Sequence, residues 1–147
     1  MKTLKGWIMV FMVLAAGVLA SCSSEEDGDW RPMVWEPEVP VVHFDDGSFG
    51  VSANGETFTF VCKNYSSPWI EYAASGKNSY YPPRESNDYR TVKGDWFEAK
   101  IVGRKLTVTF KENDDEYLRP LELTVTAGDI FYTFKFTQSM KIHEKEK

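Results

Sequence analysis

The side chains that could do chemistry are few and dispersed. The chain has two Cys and two His. A nucleophilic thiol needs a neighbouring base, and zinc needs Cys and His at close spacing. Cys62, His43 and His143 lie far apart along the sequence. Cys62 shares an alternating face with Phe58 and Phe60, which predicts a buried, inert thiol. His43, at a strand end, reads as a surface residue rather than the base of a Ser-His-Asp set. Carboxylates cluster at Asp45-Asp46 and at Asp114-Asp115-Glu116. A glycosidase holds two carboxyls roughly 5–9.5 Å apart across a cleft, whereas both clusters read as turns. The second offers oxygen ligands for calcium but has neither the spaced ligands nor the Gly of an EF-hand loop. No Gly-rich phosphate loop occurs. These features predict a protein that is not an enzyme, with no catalytic residue, no metal and no cofactor.

Aromatic side chains are the stronger candidates. Sugar rings present apolar CH faces that a flat ring can cover, and Tyr adds a polar tip for hydrogen bonds. Tyr80, Tyr81, Tyr89 and Trp96 lie in or beside residues 74–95, a stretch that also holds Gly76, Pro82, Pro83 and Gly94. These four are the candidate glycan contacts. The competing expectation is that the same rings pack the stretch onto the domain wall. A structureless loop of this length is uncommon unless it is functional or disordered. Phe131 faces away from Ile130 and Tyr132 and is expected to be exposed, which for a single ring means little.

The elements that must position these groups begin with a leader. Lys2 and Lys5 precede an uncharged 13-residue run from Trp7 to Leu19, too short for a spanning helix of ~20 residues. Basic, apolar and small residues in that order form a secretory signal peptide, here residues 1–21. Leu19-Ala20-Ser21-Cys22 resembles the bacterial lipobox. That resemblance implies that Cys22 becomes the first mature residue and carries lipid on its sulfur and amino group, a firm anchor where one acyl chain is marginal. The alternative is ordinary secretion with a chance Cys. Ser23, Ser24, Glu25, Glu26 and Asp27 follow, and this acidic cluster is similar to the surface-export signal of Bacteroidetes lipoproteins. It implies an outer-membrane protein facing the cell exterior, the alternative being a soluble tether on the periplasmic side.

Without residues 1–21 the chain has 126 residues, 15 Lys and Arg against 22 Asp and Glu, and a balance of −7. That length fits one domain able to fold alone. The charge disfavours nucleic acid and a polybasic grip on anionic lipid; neutral sugars or proteins fit better as partners. With Cys22 lipidated, Cys62 has no disulfide partner, so the core must supply the stability.

Residues 22–40 contain Pro32, Pro37 and Pro40 and read as an acidic, semi-extended tether. Trp30 and Trp35 within it could rest at the lipid interface or fold back on the domain edge. From Val41 the pattern becomes period-two with frequent turns, the signature of an all-β domain over residues 41–140. Expected strands are Val41–Phe44, Ser48–Ser52, Glu56–Lys63, Trp69–Ala73, Trp96–Val102, Lys105–Lys111, Leu121–Thr126 and Ile130–Phe136. Asn54-Gly55 reads as a type I′ turn and Gly128-Asp129 as a tight hairpin. Residues 141–147 form a polar tail expected to fray. Seven or eight short strands without a helical period suggest an immunoglobulin-like β-sandwich, with Trp69 filling the space between the sheets if it points inward.

From about Phe49 to Gln138 the order of residues resembles the BACON domain, a Bacteroidetes-associated module with proposed carbohydrate binding. The resemblance rests on Asn54-Gly55 before Thr57–Phe60, on Asn64 before Trp69, and on Asp95-Trp96-Phe97. It continues through Leu106–Phe110, Asn113 and Arg119 to the closing Phe134-Lys135-Phe136-Thr137-Gln138. The interval from Trp69 to Trp96 is longer than that family's pattern. In this reading Asn113 caps a turn, Arg119 bonds turn carbonyls, and Gln138 does likewise at a strand end. The resemblance implies a spacer or interaction module in a glycan-handling or envelope complex. The alternative is a carbohydrate-binding lipoprotein that uses the 74–95 loop.

Overall fold

The computed structural model describes residues 31–142, so the leader, Cys22, Trp30 and the tail from His143 lie outside the described residues. Among the described residues, ten strands form two five-stranded sheets. They are β1 (Trp35–Pro37), β2 (Phe49–Val51), β3 (Glu56–Cys62), β4 (Trp69–Ser75), β5 (Asn78–Tyr80), β6 (Thr91–Lys93), β7 (Phe97–Val102), β8 (Lys105–Phe110), β9 (Arg119–Thr126) and β10 (Phe131–Gln138). The first sheet runs β1-β3-β8-β7-β6 and the second β2-β10-β9-β4-β5. All pairings are antiparallel except β2 with β10.

Alternation builds the core. Phe58 and Phe60 on β3, Leu106, Val108 and Phe110 on β8, and Phe97, Ala99 and Ile101 on β7 face inward from the first sheet. Leu121, Leu123 and Val125 on β9 and Phe134 and Phe136 on β10 answer from the second. The two sets meet ring to ring. Phe60 lies 4.8 Å from Phe134, Phe58 5.6 Å from Phe136, and Phe110 5.1 Å from Phe136, all tilted. Offset and tilted pairs of this kind add to the area term of burial. Cys62 is free and buried.

The structure departs from the sequence expectations at three places. The first strand is not Val41–Phe44, which makes a single bridge, His43 with Phe49. It is Trp35–Pro37, inside the stretch expected to be tether. Pro37 is tolerated because β1 is an edge strand, where a missing N–H interrupts no ladder. Met33 is buried, and Trp35 folds onto Phe134 at 5.3 Å, so the folded unit reaches upstream of Val41. Asn64 clamps this entry: its amide donates to Pro32 O at 2.8 Å and its oxygen accepts from Val34 N–H at 2.9 Å.

Asn54-Gly55 does not form a type I′ hairpin, because Gly55 has a positive φ (89°) but Asn54 does not. The turn joins β2 to β3, which belong to different sheets. Gly55 is required there for a second reason: a Cβ would sit 2.6 Å from Phe110 O. Finally, residues 74–95 are not one loop. They hold the end of β4, all of β5, a 3₁₀ turn at Arg84–Ser86, and β6. This stretch carries the chain from the edge of one sheet to the edge of the other. Ile70, not Trp69, fills the inner position on β4.

Candidate functional site

Three polar side chains converge at one end of the sandwich. Asn113 is fully buried; its Nδ2 donates to Tyr117 O at 2.9 Å and to Ser139 O at 3.1 Å, and its Oδ1 accepts from Asp115 N–H at 3.0 Å. Its own N–H donates to Ala53 O at 2.7 Å. Gln138, also fully buried, donates from Nε2 to Lys111 O at 2.7 Å and to Ser52 O at 3.1 Å. Arg119 reaches Asp115 Oδ2 at 2.8 Å and lies over the Trp96 ring, 5.5 Å from its centroid. Together they tie the β2–β3 turn, the β8–β9 loop and the end of β10. Buried carbonyls need such donors, and here side chains supply them.

The carboxylate clusters have local partners. Asp114 and Glu112 both pair with Lys141, whose pKa is raised by its hydrogen bond to Glu112, by the Glu112 charge and by Asp114. Asp46 accepts from Ser48 Oγ at 2.6 Å and from Ser48 N–H at 2.9 Å, and these bonds hold its carboxyl below the usual range. Among the described residues no three His, Cys, Asp or Glu side chains gather to hold a metal.

The four candidate glycan contacts divide. Tyr80 packs edge-on against Phe97 at 5.1 Å, and Trp96 lies against Phe97 at 5.4 Å and Phe110 at 5.9 Å. Both are packed against the core. Tyr89 is exposed in the crossing segment. Tyr81 is exposed and leans on Tyr72, with ring centroids 6.2 Å apart.

Tyr72 leads to a surface that sequence reasoning did not assemble. The register of the second sheet aligns Trp69 with Thr126 and Thr126 with Phe131 in one row. The next row aligns Tyr72 with Thr124 and Thr124 with Thr133. Leu123 and Val125 face inward, so these rows face outward. Trp69, Tyr72, Tyr81 and Phe131 therefore share the outer face. A register shift between Ile70 and Tyr72 sets this arrangement, since three residues rather than two separate Trp69 from Tyr72. Strict period-two alternation would have put them on opposite faces, and no signal in the sequence marks the bulge. The first sheet turns a different surface outward, a shallow hollow of about 380 Å³ lined by Lys93, Glu98, Lys100, Thr107, Thr109 and Lys111.

The fold and its faces define an all-β protein of two packed sheets. No family model matches the chain, and no curated protein matches it. A protein from Bacteroides thetaiotaomicron, with a structure determined by NMR, is similar at 31% identity and a TM-score of 0.65. The likeness covers 82% of this chain and 97% of that one. The chain belongs to the family of that Bacteroides protein.

Proposed function

We propose that this chain is a non-catalytic lipoprotein of the outer membrane, held by lipid on Cys22 and facing the cell exterior. Its sandwich serves as a spacer or interaction module in a glycan-handling or envelope complex. The observation that carries the reading is how the buried polar side chains are used. Asn113 and Gln138 bond the backbones of three chain segments at one end of the sandwich, which makes a stiff unit suited to holding a surface away from a membrane. Trp96 serves the same end beneath Arg119.

The convergence of Asn113 and Arg119 on the β8–β9 loop, with Gln138 beside them, supports the BACON resemblance. Strand order supports an immunoglobulin-like arrangement: β1 lies on β3, β2 runs parallel to β10, and β9 sits between β10 and β4.

The test is made on intact cells. Wild-type protein should incorporate a fatty-acid label and be shaved by added protease, and Cys22→Ser should abolish the label. Cross-linking should then capture envelope or glycan-utilisation proteins. Absence of label in the wild type, or full protection from protease on intact cells, would sink the anchoring and exterior parts of the reading respectively.

A further inference from the structure

We propose that the outer face of the second sheet is a flat binding platform for a neutral polysaccharide chain. The inference stands on the aromatic rows and is independent of the anchor, since binding can be measured whether or not Cys22 carries lipid. Trp69 and Phe131 flank Thr126 in one row, about 10 Å apart at two strand spacings, a span of the order of two sugar rings. Tyr81 and Tyr72 continue the aromatic surface beside them.

Composition chooses the occupant. No Leu, Ile, Val or Met alternates outward from the strands of this sheet; its large apolar outward side chains are aromatic. Flat rings match the CH faces of sugars, and the two tyrosines add hydroxyls at the rim. Glu122 and Lys135, in the adjoining row, face each other at 4.0 Å, so this part of the face is charge-balanced. An uncharged chain fits this face better than an acidic or basic one.

The floor is already set. Thr124 Oγ1 and Thr133 Oγ1 are 2.9 Å apart, and Thr126 Oγ1 lies 2.8 Å from both Gly128 O and Ile130 O. Although they alternate outward, Thr124 and Thr126 are only 6% and 1% exposed; Thr126 lies between Trp69 and Phe131, and Thr124 between Tyr72 and Thr133. Trp69, Tyr72 and Phe131, seated on strands over a floor of satisfied hydroxyls, lose little freedom on binding.

The experiment is affinity electrophoresis of the full-length protein in detergent-containing native gels. The gels are cast with soluble starch, galactomannan, xyloglucan or mixed-linkage β-glucan. Tyr81 and Phe131 are 67% and 58% exposed, so Tyr81→Ala/Phe131→Ala should fold with an unchanged Tm. Retardation of the wild type in at least one gel is expected, with binding at least about tenfold weaker in the double variant. Tyr117→Ala, which removes an exposed ring from the β8–β9 loop, should leave retardation intact. No retardation in any gel, or equal retardation of the double variant, overturns the proposal. A photo-cross-linker at position 131 that captures a protein on cells, with no retardation in any gel, also overturns it and gives the face to a protein partner.

Discussion

The two sheets share one core but turn different chemistries to solvent. On the first sheet, Thr57 pairs with Thr109 and Thr59 with Thr107, and Lys93, Lys100, Lys105 and Lys111 stand around them. Lys105 pairs with Glu38 at 2.9 Å, while Lys93, Lys100 and Lys111 take no ion pair among the described residues. On the second sheet the corresponding outward positions carry Trp69, Tyr72 and Phe131, with Tyr81 beside them. Inward positions on both sheets are interchangeable in kind, because packing asks only for apolar volume. Outward positions are free of that demand. Thr and Lys satisfy it at no cost to solubility, whereas four rings on one face do not serve solubility and call for a binding explanation.

The comparison assumes that both faces rest on a single core, and the largest predicted effect tests that. Phe134 touches Phe60 across the sheets, Trp35 at the edge of the first sheet, and Phe49 on the neighbouring strand of its own sheet. Phe134→Ala should cost about 3–5 kcal/mol in denaturant unfolding, in one transition that loses both faces together. Two separate transitions would mean that the sheets are independent and that the contrast between faces says nothing about a shared scaffold.

The polar end comes next. Gln138→Ala leaves Lys111 O without its side-chain donor and takes from Ser52 O one of its two, the Gly55 N–H remaining, and should cost about 2–4 kcal/mol. Asn113→Ala should fall in the same range, since it releases Tyr117 O, Ser139 O and Asp115 N–H. Because this cluster lies off both outer faces, any polysaccharide retention should survive in variants that remain folded. Loss of retention at unchanged fold would move the binding site to this end.

These two groups also mark what the sequence made legible. Seven of the ten strands of the described residues were legible: inward apolar residues alternate strictly along β3, β7, β8, β9 and β10, and turn residues bound β2 and β4. The pattern missed β1, where Pro37 argues against a strand unless the strand is known to lie at an edge. It missed β5 and β6, three residues each, whose pairing is supplied by neighbours rather than by their own pattern. The site was less legible. Tyr80 and Tyr81 are adjacent and alike in type, yet Tyr80, opposite the inward Ala73, packs on Phe97 while Tyr81 faces out. Trp69 and Phe131 are 62 residues apart in sequence, and only the shared partner Thr126 joins them.

Charge gives a sharper separation of the faces. Lys93→Ala/Lys100→Ala should change stability by no more than about 0.5 kcal/mol and leave retention on a neutral polysaccharide as it was. Raising salt from about 0.1 M to about 1 M shortens the screening length from about 10 Å to about 3 Å. Retention through rings should be indifferent to this change. A salt-sensitive retention that fell in the lysine variant would transfer binding to the first sheet's face.

The smallest predicted effect concerns the edge of the second sheet farthest from Tyr81. Ser48 is buried, donates to Asp46 from both its hydroxyl and its N–H, and touches Thr137 Oγ1 at 2.9 Å across the β2–β10 pair. Those bonds favour the ionised Asp46, so its folded pKa lies below its unfolded one. The resulting stabilisation is present above the ordinary aspartate range and is lost as pH falls through the lowered folded value. Ser48→Ala should raise the Asp46 pKa, read by carboxyl titration in NMR, and shift the acid limb of the Tm profile to higher pH. Asp46 is fully exposed, so the change in Tm at neutral pH should be slight. Tyr81 lies beside β5, three strands away from β10, and Phe131 stands at the opposite end of β10 from Thr137, so retention at neutral pH should not change. If it does change, the aromatic face depends on how β2 closes the far edge of the sheet, and the rows of rings are less rigidly set than their hydrogen-bonded floor implies.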